Sequence, residues 1–401
     1  MGAMASRAVK VSDRPRVLLD QRRLKMAESA HAYVRGNTVK FYEWLSSVKA
    51  ARLIPKGPAV WICGDCHIGN LGPVANADGK IEIQIRDLDQ TVIGNPAHDL
   101  IRLSLSLAMA GRSSDLPGVT TARMIERVIE AYGRALLGKT DQVDEDEVSP
   151  IKSVMRESRR RRWEHLAEER IEDVKPTIPL GKKFWALSKV EQKEIAEMFG
   201  QEPVRALVTQ LKGRHDDAPI KVLDAAYWMK GCSSLGRLRY AVLVGVGKRH
   251  ADGFSLVDIK EATAAASPRY RRAVMPHTNA ERVVSGARAL SPFLGERMLA
   301  SHLGGKSVVV RELMPQDLKF EMEGLTAEDA VGAAGLFAGV VGRAHARQMD
   351  KPTRTAWAKV IAANHAGTMQ VPSWLWSSVV DLVAVHEAAY LEHCRQYALK
   401  G

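Results

Sequence analysis

The hydrophobic pattern divides the chain into helical stretches at both ends and a β-rich stretch between them. Apolar residues recur at helical spacing over residues 17–47 (Leu18, Leu19, Leu24, Met26, then Tyr33, Val34, Phe41 and Leu45), and Gly36-Asn37 splits this run into two expected helices. Residues 59–63 form a short apolar run, 64–72 a loop, and 81–85 an alternating strand that ends in an acidic turn. Asn95-Pro96 precedes a strongly apolar helix over 98–110, with Asp99 near its start. Helices are expected over 124–137, 151–171 and 189–199, a proline-marked loop at Pro176 and Pro179, and a short helix or strand over 204–211. The pattern then changes to β-rich runs at 238–246, 254–259 and 307–311, with a helix over 281–290 between them. Helices return over 329–348, 355–366 and 374–399. The expected class is α+β.

A length of 401 residues suggests two or three lobes and permits a full enzyme core. With 46% hydrophobic and 26% charged residues, the composition excludes collagenous, coiled-coil and largely disordered chains. The longest apolar run, residues 330–341, is broken by Gly332, Gly335 and Gly339, so no membrane span is expected and the protein reads as soluble. The first fifteen residues are charged and lack an apolar signal region, which points to the cytoplasm. There the four cysteines stay thiols. The net charge of +12 admits a polyanionic partner, whether nucleic acid, an acidic lipid surface or a phosphorylated small molecule, or reflects solubility alone.

The densest polar loop is Cys63-Gly64-Asp65-Cys66-His67-Ile68-Gly69-Asn70, followed one hairpin later by Asp87-Leu88-Asp89. Phosphoryl transfer needs a carboxylate to orient the acceptor hydroxyl and oxygen ligands that hold magnesium against the phosphates. An Asp with an Asn five residues later suits that pair, so Asp65 is a candidate base and Asn70 a candidate metal ligand, with Asp87 as the charged ligand.

These residues, with Gly94-Asn95-Pro96-Ala97-His98-Asp99-Leu100, resemble the catalytic loop, metal loop and following helix of aminoglycoside-phosphotransferase-like kinases. The resemblance implies Asp65 and His67 as catalytic residues, magnesium on Asn70 and Asp87 with Asp89 assisting, and Asp99 as a buried structural acid. One departure is Cys63, where that family commonly has His, and it predicts looser support for the loop. By the same resemblance the nucleotide-binding strands that ordinarily come first lie downstream instead: Gly231-Cys232-Ser233-Ser234-Leu235-Gly236 reads as a glycine-rich hairpin that grips ATP phosphates through Gly231, Ser233, Ser234 and Gly236. Lys260, in Val257-Asp258-Ile259-Lys260-Glu261, resembles the ATP-phosphate lysine, and Glu312-Leu313-Met314 a nucleotide hinge. The whole arrangement is similar to a bacterial family catalogued as domain of unknown function 2252, which resembles a circularly permuted, bilobal protein-kinase-like fold. Matching segments include Tyr33-Val34-Arg35-Gly36, Glu281-Arg282-Val283-Val284-Ser285-Gly286, Val310-Arg311 and the run from Arg343 to Arg347. On this basis residues 1–224 form a helical lobe with the catalytic and metal loops, 225–320 a β-rich nucleotide lobe, and 321–401 the remaining helices. In such an order the helix ending near Arg347 packs beneath the Asp65 loop, and Lys260 faces Asp87 across a nucleotide-sized cleft.

Several plainer readings compete. Cys63 to His67 spells the c-type haem pattern, but haem attachment needs export, and the same residues offer too few ligands for structural zinc. The Asp65 loop alone could be an ordinary turn. A lysine within an apolar strand could pair with Glu261 or Glu281, Arg159 to Arg162 could be a self-paired helix face, and His345 could be a satisfied core histidine. The expected activity is transfer of the ATP γ-phosphoryl group to a hydroxyl of an unidentified small molecule or protein. The alternatives are a nucleotide-binding pseudokinase, an AMP-transferring enzyme, or a basic nucleic-acid-binding protein; sequence-specific nucleic-acid binding is not expected.

Overall fold

The computed structural model describes residues 9–139, 149–171, 177–232, 235–250, 253–318, 320, 325–363 and 371–397. Ser233 and Ser234 of the expected hairpin, Pro176 of the expected loop, and the expected ends of the helices reaching residues 366 and 399 lie outside them. The architecture is α+β. No helix of the described residues is long and apolar enough to cross a membrane.

The N-terminal pattern becomes four helices, α1 (Arg14–Ala27), α2 (Ala30–Gly36), α3 (Thr38–Leu45) and α4 (Val48–Leu53). The break at Gly36-Asn37 is where expected, and a second break at Ser29 exists because its hydroxyl caps α2 by accepting from the Ala32 amide. Then β1 (Val60–Ile62) pairs antiparallel with β4 (Val92–Gly94), and β2 (Leu71–Ala75) pairs with β3 (Ile81–Ile85). Helix α5 (Ala97–Ser113) follows, buried almost along its whole length and started by Asn95, whose side-chain oxygen accepts from the Ala97 amide.

Helix α6 (Gly118–Leu136) packs along α13 (Ala327–Ala346). Their backbones approach closely because α13 presents small residues. A Cβ at Gly342 would stand 2.7 Å from that of Ala135. Two helices, α7 (Ser149–Arg160) and α8 (Trp163–Ile171), replace the single charge-dense one expected. The chain ends in α14 (Lys351–Ala362) and α15 (Ser373–Tyr397), the latter lying on α5 and α1.

The remaining strands, β5 (Phe184–Trp185), β6 (Ile220–Trp228), β7 (Arg239–Val246), β8 (Phe254–Glu261), β9 (Met298–Leu303) and β10 (Lys306–Leu313), form one antiparallel sheet in the order β5-β6-β7-β8-β10-β9. It begins earlier than residue 225. Strands β6 and β9 escaped the sequence pattern because Lys221, Asp224 and His302 interrupt their alternation and much of each strand is only half-buried. One face of the sheet packs on α1, α9 (Lys189–Phe199) and α10 (Glu202–Thr209) through Val242, Val244, Val257 and Val310. The other face buries Ala241, Leu243 and Leu256 against Leu166 of α8. Helix α11 (Asn279–Leu290), capped by a Thr278–Glu281 box, and the short α12 (Pro292–Gly295) bridge sheet and helices.

Candidate functional site

Strand β1 delivers the Asp65 loop, and Asp99 in the first turn of α5 holds it. The Asp99 carboxylate accepts the backbone N–H of Cys63 at 2.7 Å and of Gly64 at 2.9 Å, and His345 Nε2 lies 3.2 Å from it. Both Asp99 and His345 are fully buried, and His345 Nδ1 lies 2.9 Å from the Tyr132 hydroxyl, so this histidine is a satisfied core residue. Gly64 has φ +77°, and a Cβ there would stand 2.3 Å from the Gln90 carbonyl, so the turn requires glycine. The Cys63 thiol donates to the Asp87 carbonyl at 3.6 Å. Cysteine therefore ties the two loops together instead of loosening them.

The Asp65 carboxylate accepts from Arg102 Nε at 2.9 Å and from the Thr38 hydroxyl at 3.0 Å, leaving 13% of its side chain exposed. Asn70 Nδ2 donates to the Asp65 carbonyl at 3.0 Å. His67 is buried, and burial pushes its imidazole down to about 3, so it is neutral at physiological pH. Its Nδ1 has no hydrogen-bond partner.

The period of two along β7, β8 and β10 sends Arg239, Asp258, Lys260 and Arg311 to one face of the sheet, and pairing sets Arg239 opposite Lys260 and Arg311 opposite Asp258. Arg239 grips Asp258 at 2.8 and 2.5 Å, and Arg311 reaches the same carboxylate at 3.3 Å. Burial alone would raise the Asp258 carboxyl, but these two guanidinium groups hold it far below the usual carboxylate range.

Lys260 Nζ lies 2.5 Å from Asp89 and 3.4 Å from Asp87. Burial pushes the Asp87 carboxyl up, yet Lys260 and Arg311 outweigh it and bring it down to about 2. The Asp89 carboxyl stays raised by its burial and by the charge of Asp87. Arg282 of α11 fixes this loop, donating to the carbonyls of Asp89 at 2.9 Å, Thr91 at 2.5 Å and Thr263 at 2.8 Å.

Two expectations need correction here. The carboxylates beside Lys260 are Asp87 and Asp89, not Glu261 or Glu281: Glu261 pairs with Lys306 at 2.8 Å, and Glu281 is spent on the cap of α11. Lys260 and Asp87 also touch directly instead of facing each other across a gap.

An open cleft with a cavity volume of about 170 Å³ lies between the loops and the sheet. Of the expected site residues, His67, Asn70, Asp87, Gly231 and Met314 line it, and Asp87, Asp89 and Lys260 line an adjoining hollow of about 70 Å³. Asp65, Gly236 and Glu312 are not among the lining residues. Glu312 follows Arg311 on β10, so its side chain points to the opposite face, where Arg214 and Ser255 hold its carboxylate, and Arg297 takes its carbonyl at 2.7 Å. Gly236, with φ +95°, turns the chain beside Pro15.

The cleft is also walled by Arg35, Arg86, Lys230, Arg239 and Arg311, none of which the sequence assigned a role there, although Arg35 and Arg311 lie in family-matching segments. Arg239 and Asp258 carried a signal, since charges at alternate positions of an apolar strand mark a polar patch on one sheet face. Arg35 carried only its place in the Tyr33–Gly36 family segment, because only folding brings α2 to the loop.

Among the described residues, no three His, Cys, Asp or Glu side chains converge as a ready metal site. No curated protein and no solved structure matched the chain. A family model described as an uncharacterized protein conserved in bacteria, DUF2252, matches residues 14–396, and the chain therefore belongs to that family.

Proposed function

We propose that the protein is an ATP- and magnesium-dependent phosphotransferase acting on a hydroxyl, built on a circularly permuted kinase-like plan. The observation that carries this reading is the meeting of Asn70, Asp87 and Lys260, drawn from two loops and a distant strand, at a cation-walled cleft and the hollow that joins it through Asp87.

In this reading Lys260 and the Gly231 turn bind the nucleotide phosphates, and Met314 borders the nucleotide. The donors available for magnesium are hard oxygens, as that ion requires: the Asp87 carboxylate, 44% exposed, and the Asn70 side-chain oxygen, since its nitrogen is committed to the Asp65 carbonyl. Magnesium commonly completes its shell with water and phosphate oxygens, which agrees with a protein that supplies only two such groups. When bound, it would neutralise phosphate charge. The acceptor oxygen bonds to the γ-phosphorus while the bond to the β–γ bridging oxygen breaks. The hydroxyl proton passes to Asp65 at its narrow exposed edge, and ADP departs. Arg102 and Thr38 fix the orientation of that carboxylate.

The same engagement of Asp65 favours a second reading, nucleotide binding without transfer. Incubation with magnesium and γ-labelled ATP, with and without cell extract, separates the two, and α-labelled ATP detects AMP transfer. The expected result is movement of the γ label by the wild type, reduced at least a hundredfold in Asp87→Ala. If neither label moves and ATP leaves thermal melting unchanged, the enzyme reading fails.

A further inference from the structure

Next to the Gly231 turn the cleft has a cationic end at Arg35, a side chain to which the nucleotide reading gives no role. Cys232 lies there against the end of α2, where a Cβ at Gly36 would stand 2.8 Å from its sulfur. Arg35, the preceding residue, lays its guanidinium over the catalytic loop. A Cβ at Gly69 would stand 3.1 Å from Arg35 Cζ and 3.2 Å from His67 Cε1. Arg35 is thus placed beside Gly69 and His67 of the Asp65 loop, not on the strand of Lys260.

Two cations near this end donate to backbone carbonyls: Arg22 to Gly36 at 2.9 Å and Lys25 to Gly231 at 3.3 Å. The charges of Arg22, Lys25 and Arg35 all act on the Cys232 thiol, opposed there by Glu28. Among the described residues Arg35 has no ion-pair or hydrogen-bond partner, and the buried Nδ1 of His67 beside it has none either. By contrast Arg239 and Arg311 share Asp258, and Lys260 is matched by Asp87 and Asp89. An unpaired guanidinium at the mouth of a catalytic loop is a fork awaiting an anion.

We propose that this end of the cleft is the acceptor subsite, and that the acceptor is a small hydroxyl compound carrying a phosphomonoester, whose phosphate Arg35 binds. The proposal rests on the phosphotransferase reading. A doubly charged phosphate matches several neighbouring cations better than a single carboxylate does, and Arg35, Arg86, Lys230, Arg239 and Arg311 all line this one cleft.

The test is calorimetric titration of the full chain with sn-glycerol 3-phosphate in the presence of magnesium and a non-hydrolysable ATP analogue, with glycerol and succinate as controls. The phosphate ester is expected to bind and both controls to fail. Arg35→Ala should weaken the ester at least tenfold, Arg35→Lys by an intermediate amount, and both should keep the affinity for the ATP analogue within twofold. If the alanine variant shows no folded melting transition, the lysine variant carries the comparison. No binding of the ester at 10 mM (about tenfold above a ~1 mM weak-site Kd), equal binding of succinate, equal ester affinity in both variants, or loss of nucleotide affinity in place of ester affinity would overturn the proposal. Failure of the phosphotransferase reading shows separately, as a wild type that does not bind the ATP analogue.

Discussion

The Lys260 ammonium lies 2.5 Å from the Asp89 carboxylate, joining a strand of the large sheet to the loop that follows β3. With Asp87 at 3.4 Å, one cation balances two acids that would otherwise repel each other. This contact and the Cys63–Asp87 bond connect the Asp65 loop, the loop after β3 and the distant strand β8 at one edge of the cleft.

Removing that cation should be visible in the titration of its partners. The Asp87 carboxyl is held down at about 2, so its stabilising effect is present above the ordinary carboxylate value and fades as pH falls through about 2. In Lys260→Met the Asp87 value should rise into or above the ordinary range. Carboxyl-carbon NMR titration checks it; an unchanged Asp87 value would show that Lys260 does not set its charge.

Four buried or half-buried histidines predict acid lability at a higher pH. Burial lowers His67 to about 3 and His31, His98 and His386 to about 4, whereas the unfolded chain takes up these protons near 6.5. Below that value the unfolded state binds more protons, so stability should be full above about 6.5 and fall steadily toward 4. Urea melts at successive pH values measure it. A flat profile between pH 7 and 5 would show that these histidines protonate in the folded state.

Asp65→Asn separates catalysis from structure. The amide keeps the shape and one acceptor, and if Asp65 receives the proton, kcat should fall by roughly 10² to 10⁴ with nucleotide affinity unchanged. Arg102→Ala removes the cation buried against Asp65 and should cost about 3–5 kcal/mol of stability in denaturant melts.

Gly64→Ala tests the loop's backbone. The φ of +77° and the Gln90 carbonyl 2.3 Å from the new Cβ should cost more than ~1 kcal/mol and displace Asp65. The expected readout is a lowered melting temperature, together with greater loss of phosphoryl transfer than of nucleotide binding.

A last contact predicts where α13 meets the loop. The Gln348 side chain accepts from the Trp61 backbone N–H at 2.7 Å and donates to its carbonyl at 3.1 Å, acting as an extra strand partner for β1. Gln348→Ala should speed hydrogen exchange at the Trp61 amide by tenfold or more, with little change in the sheet.

Much of this molecule is determined locally. Helix α9 begins and ends where its sequence pattern does because a Ser188–Glu191 capping box starts it, and β7 stands out because eight successive positions are buried. Asp65, Asn70, Asp87 and Asp99 were legible as a group because short spacing in one segment carries them all. Tertiary structure alone decided the rest. Whether Lys260 meets a Glu or an Asp depends on how sheet and loop dock, and Glu312 leaves the cleft because one step along a strand reverses the face. Arg35 joins the site only when α2 folds onto Gly69, a contact between distant segments that hydrophobic periodicity does not encode, since periodicity says which face is buried and not against what.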